Sequence, residues 1–251
     1  EYLGEKKEVV LNWPYKDCVL EGGMTKEDQK RDEIFYNETL APDDINRLLD
    51  PKVFTNFKRI DKKGEHELDG FKRDEKGTIK DNLIIKGNNL LALASLKKEF
   101  AGKVKLIYID PPYNTGNDGF KYNDSFSHSS WLVFMKNRLE IAKELLRNDG
   151  IIFVQCDYRE NSYLRILMDQ IFGRDNLVNE ITWKKYGGVK NQAAKKLTTQ
   201  QETILLYSKS LEYNINFLYN PLSEKYVADE YKYVDENGRR YAKLRGRGYQ
   251  G

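Results

Sequence analysis

Asp110-Pro111-Pro112-Tyr113 follows directly on the apolar run Val104-Lys105-Leu106-Ile107-Tyr108-Ile109. A strand that ends in a carboxylate, two residues without backbone N–H groups and an aromatic ring offers hydrogen-bond acceptors beside a stacking surface, with almost no competing donors. An exocyclic amine on a flat base needs those features. Such an amine is a poor nucleophile because its lone pair is delocalised into the ring. Acceptors that take its two N–H groups favour a pyramidal nitrogen aimed at an incoming methyl group. Asp110 can take one N–H, and a main-chain carbonyl at Pro111 or Pro112 the other. The prolines stiffen the turn, and Tyr113 supplies a flat face for the base, which in duplex DNA must first leave the stack at a cost of roughly a few kcal/mol. The plainer reading is a strand-ending turn, since Asp-Pro and Pro-Pro are common loop punctuation.

The elements that must position this turn begin at Asn82, where apolar strands start to alternate with amphipathic helices. Residues 83–85 read as a strand, 90–100 as a helix with Leu90, Leu93, Ala94 and Leu96 inward, and 104–109 as a strand. Trp131, Met135, Leu139, Ala142, Leu145 and Leu146 recur at helical spacing, with Asn148-Asp149-Gly150 as a glycine stop. Residues 151–156 follow as a continuous apolar strand, and Leu164, Leu167, Met168, Ile171 and Phe172 define a helix ended by Gly173. Such a βαβαβα series predicts an α/β fold with a largely parallel sheet covered by helices and ligands beyond the carboxyl ends of the strands, where Asp110 and Asp157 both stand. Residues 178–184 and 203–208 read as further strands, separated by the polar stretch 185–201, a candidate substrate-contacting loop. Residues 1–81 read as a charged, mostly helical lead-in, with a helix over 41–49 after Pro42-Asp43 and a polar loop over 62–80. This divides the chain into 1–81, 82–184 and 185–251.

At 251 residues the chain can bury a sizeable core. A charged fraction of 32% and a mean hydropathy of −0.74 argue against a membrane protein. The opening is charged rather than an apolar targeting core, and it starts at Glu1, as expected of a segment from inside a longer polypeptide. Cys18 and Cys156 lie far apart, which argues against a disulfide framework and points to a reducing cytoplasm. With only His66 and His128 and no clustered cysteines, a zinc site has little to be built from, so metal-free chemistry is expected. The net charge of +3 is unevenly spread: residues 184–251 hold 13 Lys+Arg against 7 Asp+Glu. Nine tyrosines interleave with these cations, a pattern suited to phosphate contact and base packing, although a solvated surface of mixed charge looks similar.

Other candidates carry two readings each. Gly87-Asn88-Asn89 closes a strand and opens a helix, so Asn88 serves as a cap, a cofactor contact or both. Asn114-Thr115-Gly116-Asn117 prolongs the Asp110 turn into a polar loop that could close over substrate or simply connect. Asp157, Arg159 and Glu160 read as a helix cap ahead of a catalytic group, and Trp183 as a core residue ahead of a pocket edge. Gly246-Arg247-Gly248 has no strand before it and no helix after it, so it is not a cofactor loop.

With these residues in hand, the chain resembles the amino-group DNA methyltransferases of the β arrangement, and most closely the modification subunits of type III restriction-modification systems. The resemblance lies in residues 106–116, Leu-Ile-Tyr-Ile-Asp-Pro-Pro-Tyr-Asn-Thr-Gly, and in the preceding 84–93, Ile-Ile-Lys-Gly-Asn-Asn-Leu-Leu-Ala-Leu. Stretches 131–139, 150–160, 168–173 and 179–183 follow in family order, and the lead-in at 11–23 and 37–49 also looks like those subunits. The resemblance implies a Rossmann-like sheet with helices on both faces and transfer of a methyl group from S-adenosylmethionine to N6 of a flipped adenine. It assigns the catalytic place to Asp110, Pro111, Pro112 and Tyr113, a cofactor contact to Asn88, and substrate contacts to Tyr113, Asn114, Lys185 and Lys190. Residues after Lys184 correspond to the start of a target-recognition region. Double-stranded DNA, a restriction subunit with helicase and nuclease functions and a second methyltransferase subunit are the implied partners. The family's F-x-G-x-G cofactor loop, which in this arrangement follows target recognition, does not occur before Gly251. A fragment of a longer subunit and a truncated gene product both stay open, as does a non-catalytic DNA-binding or assembly module. So does methyl transfer to an RNA base or a protein amide.

Overall fold

The computed structural model describes residues 10–22, 25, 27, 30–68, 70–116, 123–185, 199–216 and 221–242. In chain order its first compact unit contains β1 (Cys18–Glu21), β2 (Ile34–Asn37), α1 (Pro42–Leu49), β3 (Lys58–Asp61), β4 (Gly64–Glu67), α2 (Asn89–Phe100), β5 (Val104–Ile109), α3 (His128–Leu145), β6 (Leu146–Cys156), α4 (Asn161–Phe172), β7 (Leu177–Lys184) and β8 (Gln201–Ser208). This unit ends at Tyr213. The second, from Asn214, holds α5 (Glu224–Glu230), β9 (Tyr233–Val234) and β10 (Arg240–Tyr241). The ranges 1–81, 82–184 and 185–251 read from the sequence do not coincide with this division, because β8 lies inside the main sheet.

That sheet has the order β5-β6-β8-β7. β5 pairs parallel with β6, and β8 pairs antiparallel with both β6 and β7. The expected α/β sheet is present, but it is mixed rather than largely parallel. α4 carries the chain across one strand position from β6 to β7, and the returning β8 fills the gap between them. Ile152, Val154, Cys156, Leu205 and Tyr207 form the core with Trp131, Phe134, Leu164, Leu167 and Met168 of α3 and α4. The opposite face bears Leu106 and Tyr108, each about half exposed, so among the described residues helices cover one face where two were expected.

α3 is buried nearly all round, as a helix must be when it lies between a sheet and a further layer. Asn137 makes that outer layer. Its Oδ1 accepts from the Leu20 N–H at 3.0 Å, and its Nδ2 donates to the Cys18 carbonyl at 3.1 Å, satisfying the backbone of β1 inside the protein.

Several expectations are corrected. The lead-in is not mostly helical: among its described residues four strands accompany one helix, because the buried apolar run Cys18-Val19-Leu20 and the two-residue Lys62-Lys63 turn make antiparallel pairs. Gly64, at φ 107, supplies the left-handed backbone that this hairpin needs, within the stretch expected to be a loop. Residues 83–85 lie outside any strand, with Ile84 94% exposed; apolar content does not make a strand without a hydrogen-bonding partner. Gly150 does not stop α3, which ends at Leu145 and turns straight into β6. A Cβ on Gly150 would stand 3.0 Å from the Val104 carbonyl oxygen, so the glycine serves the close approach of β5 and β6.

Replacing Asn137 with Ala leaves a buried N–H and C=O without partners. Asn137→Ala is expected to lower stability by roughly 2 kcal/mol, read as an earlier urea midpoint with unchanged slope.

Candidate active site

β5, β6 and β7 run in one direction and β8 in the other, so one edge of the sheet gathers four pieces of chain. These are the turn after β5, the end of β6 through Glu160, Lys185 after β7, and Glu202 at the start of β8. Asp110, at the tip of β5, is exposed. Pro111 and Pro112 bring no N–H groups to the turn that follows.

Trp131, in the first turn of α3, donates its indole N–H to the Pro112 carbonyl at 2.7 Å. That acceptor is therefore occupied. Among the described residues no hydrogen bond occupies the Pro111 carbonyl, whereas the Pro112 carbonyl already has one donor.

The chain after Tyr113 is clamped. The Asp124 carboxylate, 1% exposed, accepts from the Asn114 N–H at 2.9 Å and the Thr115 N–H at 3.2 Å, and also from the Thr115 hydroxyl. Asn114 has φ 60, a left-handed backbone that asparagine tolerates better than most residues. Its Oδ1 accepts from the Phe126 N–H at 2.7 Å, and its Nδ2 donates to Glu160 at 2.6 Å. His128 also meets Glu160, through Nδ1 at 2.8 Å.

On the other side of Tyr113 a chain of hydrogen bonds crosses the sheet. The Tyr108 hydroxyl donates to Gln155 Oε1, Gln155 Nε2 donates to Glu202 at 2.6 Å, and Lys185 ion-pairs with the same carboxylate. Lys185 Nζ stands 5.8 Å from the centre of the Tyr113 ring. Burial first, then a hydrogen bond to Asp110 and the charges of Asp110 and Glu202, push the Tyr113 phenol well above its ordinary range. The phenol therefore keeps its proton. Burial likewise pushes the Cys156 thiol up, which makes it an inert core residue.

The structure thus brings together Asp110, Pro111, Pro112, Tyr113, Asn114 and Lys185. Lys190 lies outside the described residues. Asn88 caps α2, its Oδ1 accepting from the Leu90 and Leu91 N–H groups at 3.0 and 3.4 Å. Asn114 holds the turn in place with both ends of its carboxamide. Trp183 is 57% exposed on the outer strand β7, which overturns the core reading, whereas Tyr207, counted among the basic region's tyrosines, is fully buried against Asp169 and Arg165. Asp157 takes the Arg159 N–H as a cap would, but Glu160 makes no capping bond. Sequence reasoning missed Trp131, Asp124, Gln155, Glu160 and Glu202 as parts of the site. A usable signal was present for two: Gln155 and Glu202 are polar residues in apolar strands at the edge that carries Asp110.

Because its pKa is raised above that of an ordinary phenol, Tyr113 is expected to keep its proton at pH 10. Wild type and Tyr113→Phe should therefore develop the same tyrosinate absorbance up to that pH; a deficit of one tyrosinate in the variant would contradict this.

A family profile described as DNA methylase, for N6 and N4 enzymes, matches residues 104–249. The chain is 44% identical to the probable type III restriction-modification enzyme HindVI Mod subunit of Haemophilus influenzae, over 95% of this chain and 40% of that protein. It is 32% identical to the EcoP15I Mod subunit of Escherichia coli, over 66% and 35% of the two chains. With the StyLTI Mod subunit of Salmonella typhimurium it shares 35% identity over 60% and 27%. The chain thus spans less than half the length of these relatives. With the Asp110 turn and the sheet edge around it inside the matched residues, the chain belongs to the N6/N4 DNA methylase family.

Proposed function

We propose that this chain carries the methyl-acceptor side of a DNA adenine N6-methyltransferase, as part of the modification subunit of a type III restriction-modification system. One observation carries the reading: an exposed carboxylate at Asp110 and a Pro111 carbonyl without a donor among the described residues flank a neutral Tyr113 ring, while the Pro112 carbonyl is held by Trp131. An adenine flipped from duplex DNA would stack on Tyr113. Asp110 would accept one N–H of the amine and Pro111 the other, turning the nitrogen lone pair out of the ring plane. Transfer is direct, and the proton lost by the methylated amine leaves through Asp110 to solvent.

S-adenosylmethionine, when bound, supplies an electrophilic methyl group on a sulfonium. Of this chain's residues Asn88 fits a contact with it: the cap uses the carboxamide oxygen and leaves the NH2 group as a donor, and the preceding Gly87 has open space where a side chain would stand. Lys185 beside Tyr113, with Lys190 and the other cations beyond Lys184, suits contact with DNA phosphates at the start of target recognition. A restriction subunit and a second modification subunit are the partners that fit a type III Mod subunit, and the cytoplasm is where such a system meets its DNA.

In the full-length subunit, Asp110→Ala is expected to lower radiolabelled methyl incorporation into unmethylated genomic DNA by at least about 100-fold, with gel-shift affinity for DNA preserved. Undiminished incorporation would end the assignment, and methylation of RNA or protein in preference to DNA would move it to another acceptor. Tyr113→Phe keeps the stacking face and should stay active, whereas Tyr113→Ala forfeits base stacking of about 1–3 kcal/mol, visible as slower single-turnover methylation.

A further inference from the structure

We infer that Glu160 is a positioning residue for the methyl-accepting turn, an assignment that rests on the methyl-transfer reading of Asp110. Glu160 is fully buried at the start of α4 and makes no capping bond there. Its Oε1 accepts from Asn114 Nδ2 at 2.6 Å and meets His128 Nδ1 at 2.8 Å, and its Oε2 has no partner among the described residues. A carboxylate stripped of water and bonded through one oxygen weakens a fold that an apolar residue would strengthen. What the carboxylate provides instead is reach, from one strand-helix unit to another.

Asn114 is the first residue after Asp110-Pro111-Pro112-Tyr113. Its backbone is left-handed, at φ 60, a conformation that asparagine tolerates and that bonds from its surroundings select. Three bonds do so: its N–H to Asp124, its Oδ1 from Phe126 and its Nδ2 to Glu160. Asp124 holds the Asn114 and Thr115 amides, and Phe126, buried in the core directly before the Ser127 cap of α3, ties Asn114 to the start of that helix. Glu160 alone of the three partners sits on the β6–α4 unit. It therefore ties the turn, and with it the Asp110 carboxylate and the Tyr113 ring, to that unit, as Trp131 ties it to α3. His128, on the exposed side, closes over the carboxylate.

The test uses the full-length subunit as wild type, Glu160→Ala and Glu160→Gln. It measures single-turnover methylation of genomic DNA from a host lacking this modification, DNA affinity, the thermal transition and hydrogen exchange in the peptide covering residues 113–116. Gln keeps an acceptor for Asn114; Ala removes it. Glu160→Ala is expected to slow methyl transfer by about 100-fold, the scale of a misplacement of about 1 Å, with DNA affinity and thermal transition held and exchange at 113–116 accelerated. Glu160→Gln is expected to restore most of the rate and the protection. Wild-type rate in Glu160→Ala, equal damage from Ala and Gln, or parallel loss of DNA affinity and thermal stability would overturn the assignment. If the wild-type protein incorporates no methyl groups, the methyl-transfer reading itself fails. The exchange arm then judges Glu160 alone, and unchanged protection of 113–116 in Glu160→Ala overturns its placing role.

Discussion

A turn built on two consecutive prolines cannot be held by its own amides. Pro111 and Pro112 contribute carbonyl oxygens and no N–H groups, so whatever fixes the path from Asp110 to Tyr113 must reach in from elsewhere. Trp131 does so from α3 by donating to Pro112. Asp124 does so from the loop by gathering the Asn114 and Thr115 N–H groups, and Glu160 does so from α4 through Asn114. The lack of donors that makes the turn receptive to an amine is thus the same property that makes it dependent on its neighbours. Much of the surrounding polar architecture follows from that dependence.

The sheet order places those neighbours. Were all four strands parallel, the start of β8 would lie at the far edge, away from Asp110. Because β8 runs against β6 and β7, its first residues return to the carboxyl edge, and Glu202 meets Gln155 and Lys185 beside the Tyr113 ring. The outer layer matters in the same way. α3 can present Trp131 to the turn because it is locked between the sheet core and β1, the latter through Asn137.

Local pattern made part of this legible in the sequence. The periodicity of α2, α3 and α4 and the apolar runs of β5 and β6 depend on which residues face a core, and that is written in spacing. The Asp110 turn stood out because its residue types restrict its chemistry. Pairing was not. Residues 83–85 have a strand's composition but no partner among the described residues, and the antiparallel insertion of β8 depends on the path of the chain across α4. Glu160 was read as a cap because acidic residues at a helix start usually act on their own helix. Its actual bonds span 46 residues to Asn114, a relation no local window contains. Trp183 and Tyr207 were misplaced for the same reason. Which side of a strand is covered depends on the partner layer, so an exposed tryptophan and a buried tyrosine look alike in sequence.

The charges around the turn also bear on which chemistry it suits. Asp110, Glu202, Asp124 and Glu160 are all acceptors, and Lys185, beside the Tyr113 ring, is paired with Glu202. Such surroundings oppose anion formation, adding to the burial that pushes the Tyr113 phenol up. They are poorly suited to generating an alkoxide, thiolate or phenolate nucleophile, and Cys156 is closed off in the core. A neutral amine attacking a sulfonium methyl develops positive charge on nitrogen, and fixed acceptors at Asp110 and Pro111 stabilise that charge as it forms, without having to reorganise. On the proposed reading, the acidity that would disable the site as a source of anions is what qualifies it to activate an amine.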